Sequence, residues 1–539
     1  MLSALIALPA LGALVVALLP KGRDELAKQI GLGVALLVLV FGVTLAAGWD
    51  TGSTARYQFA ETYWWIKDFG VHWAVGLDGM ALVLVLLSLI LVPLVMLASW
   101  TAADRYGGAF EEVAAARAEQ AKAAEEAGKP GKTPFGVVGS RSAKTYFALI
   151  LLMESMMIGV FAATDVFLFY VFFEAILIPV YFLVGLFGGP QRSYAAVKFL
   201  LYSLFGGLLM LVAVIGLYVV ADKNTFLITE LTGVNIDPAT AKWLFLGFFI
   251  AFAIKAPMFP VHTWLPDTAA QAPAGALVLI VGVLDKIGTY GMIRFCLELF
   301  PGASKWATPV VIVFAVISIV YGAVLAIGQV DLKRLIAYTS ISHFGFIVLG
   351  IFAMTSMAQS GAILYMVNHG FSTGALFLAA GYLIVRRGSA RIDAYGGVQK
   401  VAPLLAGTFL IAGLSALSLP GLSTFVSEFM VLVGTFTRYQ VAAIIAVSGI
   451  VLAALYVLWA YQRIAGGPAA EAISRKGAFP DLSRRELAAI GPILAVIVLL
   501  GFFPGPIVNV INPTVEHTLS VVDMHDPEPT VAEAPGGQP

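Results

Sequence analysis

One cysteine occurs in the 539 residues, Cys296. An intrachain disulfide, a CxxC metal site and a cysteine-ligated iron–sulfur cluster are thereby excluded within this chain. Charge is scarce as well. Only 12% of residues are Asp, Glu, Lys or Arg, and thirty-two basic residues balance thirty-two acidic ones, so net charge gives no pointer to nucleic acid. There is no GxxxxGK[ST] loop, no GxGxxG after a strand and no HExxH, which leaves nucleotide and zinc chemistry unsupported, and no histidine pattern marks a haem. No basic n-region or small-residue cleavage site frames the start, so Met1 to Pro20 reads as a retained first helix rather than a signal peptide.

What the chain has is apolar sequence. Hydrophobic residues make up 60% and the mean hydropathy is +0.92, far outside soluble globular composition, so the chain is a polytopic membrane protein. A spanning helix needs about twenty mostly apolar residues. Fourteen stretches qualify, near 1–20, 29–48, 77–99, 146–163, 165–188, 194–221, 243–265, 274–299, 306–328, 331–353, 358–386, 403–436, 440–465 and 487–511. The expected fold is all-α with fourteen transmembrane helices.

Loop charge tests that count. Loops after odd-numbered helices hold twenty-two Lys and Arg, loops after even-numbered helices hold six, and four lie within helices: Lys198, Lys255, Lys286 and Arg294. By the positive-inside rule the odd loops are cytoplasmic and both termini lie outside. Adding or removing one helix would scramble the bias.

Breaks and charges reveal an internal repeat. Asp165 opens helix 5 and Pro257 breaks helix 7; Asp331 opens helix 10 and Pro420 breaks helix 12. Helices 5 and 10 differ in parity, so the two five-helix units, helices 4–8 and 9–13, are inverted relative to each other, the pattern in which paired discontinuous helices mark a transport site. The expected divisions are N-terminal helices 1–3 over 1–100, a cytoplasmic insertion over 101–144, the first repeat over 145–300 and the second over 301–466. A cytoplasmic loop with helix 14 follows over 467–511, then a disordered outer tail over 512–539.

The intramembrane charges carry the functional question. A lysine or carboxylate at the bilayer centre costs about 2.5 to 3.5 kcal/mol on insertion scales, so such groups face protein or water. Lys255 precedes Pro257, Pro260 and Pro266, which free helical carbonyls; a break at this depth is tolerable only when buried in protein or lining a wet cavity. Glu174, mid-helix in FYVFFEAILIPVY, is its natural partner, either as a responsive pair or as a static pin between helices 5 and 7. Lys286 is also mid-membrane, while its neighbour Asp285 points about 100° away. Buried lysines exchange protons where arginine cannot, which suits a relay. Glu428, just past Pro420 and Gly421, can serve transport or cap an orphaned helix N-terminus. His343 and His369 lie inside helices 10 and 11 and can bridge donors or be satisfied core histidines. Lys198 either tunes the Glu174–Lys255 pair or snorkels, and Arg294 near a helix end is expected to snorkel. His262 is expected to satisfy backbone groups freed by the prolines.

KAPMFPVHTWLPDTAAQAP, Glu174 on helix 5, Lys286 on helix 8, LKRLIAYTSISHFGF and the broken helix 12 together resemble the antiporter-like subunits of respiratory complex I, the proton-translocating NADH:quinone oxidoreductase. Multi-subunit sodium/proton antiporters and membrane-bound hydrogenases share this superfamily. The resemblance covers nearly the whole chain. Ending after helix 14 and carrying glutamate, Glu428, on helix 12 are features of the M (subunit 4) type. The resemblance implies that Glu174 and Lys255 prime a channel, that Lys286 is its central relay and that Glu428 is its outer site, with His343 and His369 on the hydrated axis. It implies no redox centre, cofactor or metal in this chain, with FMN, iron–sulfur clusters and quinone in partner subunits. L- and N-type antiporter-like subunits would flank it, together with the L-type lateral helix and lipids, in a bacterial inner membrane. Moving one charge against 100 mV costs about 2.3 kcal/mol, a scale that shifts in several lysine and glutamate energies can supply. Two rival readings are a sodium/proton antiporter or hydrogenase subunit, and a structural spacer. The spacer leaves four costly intramembrane charges unexplained.

Overall fold

A computed structural model describes residues 1–101, 142–468, 473 and 479–528. A membrane segment satisfies its backbone within itself only as a helix, and each of the fourteen expected stretches is helical. They are α1 (Leu2–Leu18), α2 (Asp24–Ala47), α3 (Gly79–Ala98), α4 (Ala143–Ala162), α5 (Val166–Phe187), α6 (Arg192–Ala221), α7a (Pro238–Lys255) with α7b (Trp264–Gln271), α8 (Ala274–Leu297), α9 (Pro301–Ile327), α10 (Leu332–Ala353), α11 (Ser356–Arg387), α12a (Pro403–Ala416) with α12b (Ser423–Phe436), α13 (Gln440–Ala465) and α14 (Arg484–Phe502). Among the described residues twelve helices are long and apolar enough to cross a membrane; α1 and the two pieces of α12 are shorter. The most apolar stretches of α8 and α11 are wholly buried, whereas α2, α6, α13 and α14 turn broad apolar faces outward. The central helices are those that carry charge.

The repeat is visible in the backbone. Asp165 caps α5 by accepting from Phe167 and Leu168 N–H at 2.9 and 3.0 Å, and Asp331 caps α10 by accepting from Arg334 N–H at 2.9 Å. Beside each cap the chain makes the same two-bond latch. Val166 N–H donates to Phe226 O and Ile228 N–H to Thr164 O, just as Leu332 N–H donates to Ala390 O and Ile392 N–H to Val330 O.

Two elements differ from expectation. Between α2 and α3 the loop folds into an antiparallel hairpin, β1 (Gln58–Ile66) and β2 (Val71–Leu77), turning at Gly70 in the left-handed region. β2 is buried, and its His72 N–H donates to Asp165 Oδ2 at 3.0 Å, fastening the hairpin to the start of α5. The second difference corrects the C-terminal end. Helix 14 stops at Phe502, not near 511, because Pro504 and Pro506 cannot continue it. A further helix, α15 (Gly505–Val522), follows where a disordered tail was expected from 512. Its buried residues Ile511, Thr514, Val515, Thr518, Leu519 and Val522 recur at helical spacing and form one packed face. Beyond it, Ser356 N–H donates to Asp526 Oδ1 at 2.8 Å. Nearly all of the 101–144 insertion and the tail from 529 lie outside the described residues.

Candidate functional site

Glu174 lies beside a bend in α5. Pro179 has no N–H to offer the Ala175 carbonyl, and the helix is interrupted between Ala175 and Leu177. Across from it, α6 presents Gly207, where any Cβ would collide with Glu174 Oε1. Lys255 is the last residue of α7a and wholly buried, its Nζ 4.5 Å from the centroid of Phe173. Lys255 and Glu174 interact electrostatically, but no ion pair closes between them, and neither Glu174 Oε1 nor Lys255 Nζ has a hydrogen-bond partner in the protein. The static pin between helices 5 and 7 is therefore not what this arrangement provides.

Beyond Lys255 the chain leaves helical geometry until Trp264. Trp264 Nε1–H donates to Ile254 O at 2.8 Å and Phe259 N–H donates to Ser318 Oγ at 3.0 Å, so these side chains satisfy the broken backbone. His262 does not take that part as expected: its Nδ1 has no partner, and the ring lies against Phe259 and Tyr321. The helix 8 backbone closes over the break at Gly288, where a Cβ would come within 2.5 Å of Phe252 O and 2.6 Å of Ala256 N.

Helix α8 is itself irregular. π-helical turns at Ile280–Leu284 and Met292–Leu297 flank the α-helical stretch that begins at Lys286, and such turns occur often at functional sites. Lys286 Nζ donates to Val281 O and shares a 2.7 Å hydrogen bond with His369 Nδ1 on α11. From there the polar groups continue. The His369 and His343 ring centroids are 5.3 Å apart, His343 and Tyr365 are 5.9 Å apart, and Tyr365 O–H donates to Glu428 Oε2 at 2.9 Å. Ser418, in the break of α12, also donates to Glu428 Oε2. Glu428 is thus held by hydroxyls; the N-cap position of α12b is Leu422 and no side chain caps it, so the capping reading fails.

Two further cations are placed. Lys198 Nζ lies 2.7 Å from Asp267 Oδ2 and Arg334 Nη2 2.9 Å from Asp267 Oδ1, joining α6, α7b and α10. Arg294 does not snorkel. It is fully buried, paired with Asp78 at the start of α3 and with Glu298, while Arg56 and Thr518 also bind Glu298. Sequence reasoning missed Tyr365, Ser418 and Asp267, and set aside Asp285, which is wholly buried with neither oxygen bonded. Hydroxyls in apolar helices carry no charge signal; Asp285 was legible but looked misdirected.

Among the described residues no three His, Cys, Asp or Glu are grouped to hold a metal. Ordered water is a common partner of buried polar groups that have none in the protein. Residues 163–453 match the family model described as NADH:quinone oxidoreductase/Mrp antiporter, TM. NADH-quinone oxidoreductase subunit M of Mycobacterium tuberculosis is 50% identical, the match covering 98% of this chain and 96% of that one. A chain of respiratory complex I from Thermus thermophilus superposes with a TM-score of 0.82 at 31% identity, covering 97% of this chain and all of that one. A chain of the Mrp complex from Dietzia sp. DQ12-45-1b shares the fold at a TM-score of 0.77 and 21% identity, covering 97% of this chain and 99% of that one. This chain therefore belongs to the subunit M family of NADH-quinone oxidoreductases, within the wider NADH:quinone oxidoreductase/Mrp antiporter membrane family.

Proposed function

We propose that the chain is a non-redox, proton-translocating subunit whose path runs from Glu174 and Lys255 through Lys286, His369 and His343 to Glu428. The observation that carries this reading is the 2.7 Å contact between Lys286 on α8 and His369 on α11, which joins the first inverted unit to the second through two titratable groups. Redox chemistry in partner subunits drives it, and changes in the charge or separation of Glu174 and Lys255 transmit the drive. Their unclosed pairing leaves both free to respond. Lys198, tied to Asp267, sets the field from the cytoplasmic side. L- and N-type subunits flank the chain in a bacterial inner membrane, fourteen helices cross it and both termini lie outside.

The test is Lys255→Ala in native inverted membrane vesicles. Proton uptake driven by NADH should fall about a hundredfold, with NADH:quinone electron flow falling alongside and the complex still assembled. If NADH oxidation is untouched and sodium/proton exchange is lost instead, the chain is an antiporter subunit.

A further inference from the structure

Lys255 and Lys286 are both fully buried, yet no protein hydrogen bond connects them. One buried ionisable group that interacts with both lysines is not used by the path described above. Asp285 is wholly buried, and neither of its carboxylate oxygens has a hydrogen-bond partner in the protein. A buried carboxylate without bonds is a costly group to keep, and in native proteins each such group calls for an explanation.

Backbone geometry aims it. Asp285 N–H donates to Ile280 O at 3.0 Å, an i to i−5 bond that closes the first π turn and advances the helix phase just before Lys286. Asp285 and Gly288 are three residues apart and share a helix face. Gly288 is the contact point with the broken end of α7a, at Phe252 O and Ala256 N, so that face of α8 looks onto the turn carrying Lys255. The charged groups acting on Asp285 are Lys255 from α7a and Lys286 from its own helix.

We propose that Asp285 is a relay carboxylate between Lys255 and Lys286, taking a proton from one ammonium and returning it to the other lysine as the free amine. The transfer balances: one N–H bond breaks as an O–H bond forms on Asp285, and the reverse step delivers that proton to the second amine. This inference rests on the proton-translocating reading above.

Asp285→Asn keeps the shape and removes the ionisable oxygen; Asp285→Ser is a second neutral variant, and Asp285→Glu retains a carboxylate. In inverted vesicles carrying the assembled complex, NADH-driven proton uptake should fall about a hundredfold in Asn and Ser. The Glu variant should retain uptake with a displaced pH profile, because the carboxylate is moved along the path. Neutral variants that pump as wild type overturn the proposal. So does failure of both neutral variants to assemble while Glu pumps with an unmoved pH profile, and so does failure of all three to assemble, since either outcome makes Asp285 a packing residue. Lys255→Ala is run in parallel. If it abolishes uptake and Asp285→Asn does not, only this inference fails; if it leaves uptake unchanged, the proton-translocating reading fails first.

Discussion

At the scale of single residues, charge in an apolar helix announces itself because its cost is too high to be incidental. Glu174, Lys255, Lys286 and Glu428 were legible for that reason. What positions them was not. Gly207 carries no side chain, yet its missing Cβ is the space occupied by the Glu174 carboxylate. Gly207→Ala should displace that carboxylate, change its separation from Lys255 and cut NADH-driven proton uptake about a hundredfold in vesicles where the complex remains assembled. Gly302→Ala is the control, because nothing lies within 4 Å of a Cβ there, and it should pump as wild type. Equal activity in the two variants would remove Glu174's orientation from the mechanism. Arg294 shows the opposite limit of sequence reading. Counting from the helix end made it a snorkelling residue, whereas its partner Asp78 lies at the start of α3, and no local pattern links two positions so far apart.

At the scale of elements, prolines marked the breaks in α7 and α12 because each removes an N–H and crowds the preceding turn. The same logic applied to Pro504 and Pro506 would have divided helix 14 from α15, but the acids, prolines and missing basic residues downstream outweighed it. The buried face of α15 overrides composition: Val515 is 1% exposed, while its neighbour Glu516 points to solvent. Val515→Asp places an unpaired charge in that contact and should destabilise the assembled protein by about 3 kcal/mol or more, read as a clear drop in its thermal transition. Glu516→Lys should move it by no more than about 0.5 kcal/mol. Equal, small effects from both changes would mean that α15 does not pack as described. The β-hairpin was missed for a different reason. β1 is mostly exposed and β2 is buried on both faces, so neither strand shows clean alternation.

At the scale of the whole molecule, the orientation rests on twenty-two basic residues in one set of loops against six in the other. Its weakest points are α1 and the two-piece α12, each shorter than a full span. Single introduced cysteines decide the matter, since native Cys296 is wholly buried and shielded from reagent. Lys21, Asn235 and Glu528 are exposed. Five expected spans, α2 to α6, separate Lys21 from Asn235; eight, α7 to α14, followed by α15, which does not qualify as a span, separate Asn235 from Glu528. If all of these cross, a membrane-impermeant maleimide should label Asn235→Cys and Glu528→Cys in right-side-out vesicles and Lys21→Cys only in inverted ones. Should Asn235→Cys and Glu528→Cys react from opposite sides, an odd number of segments crosses between them; α12, in two 14-residue pieces, is the segment there too short to span, and without its crossing the second unit is not the inverted copy of the first and Glu428 cannot be an outer exit. Should all three react as expected, the crossings have the parity that two oppositely oriented units need, which is what a path from Lys255 to an outer exit at Glu428 requires.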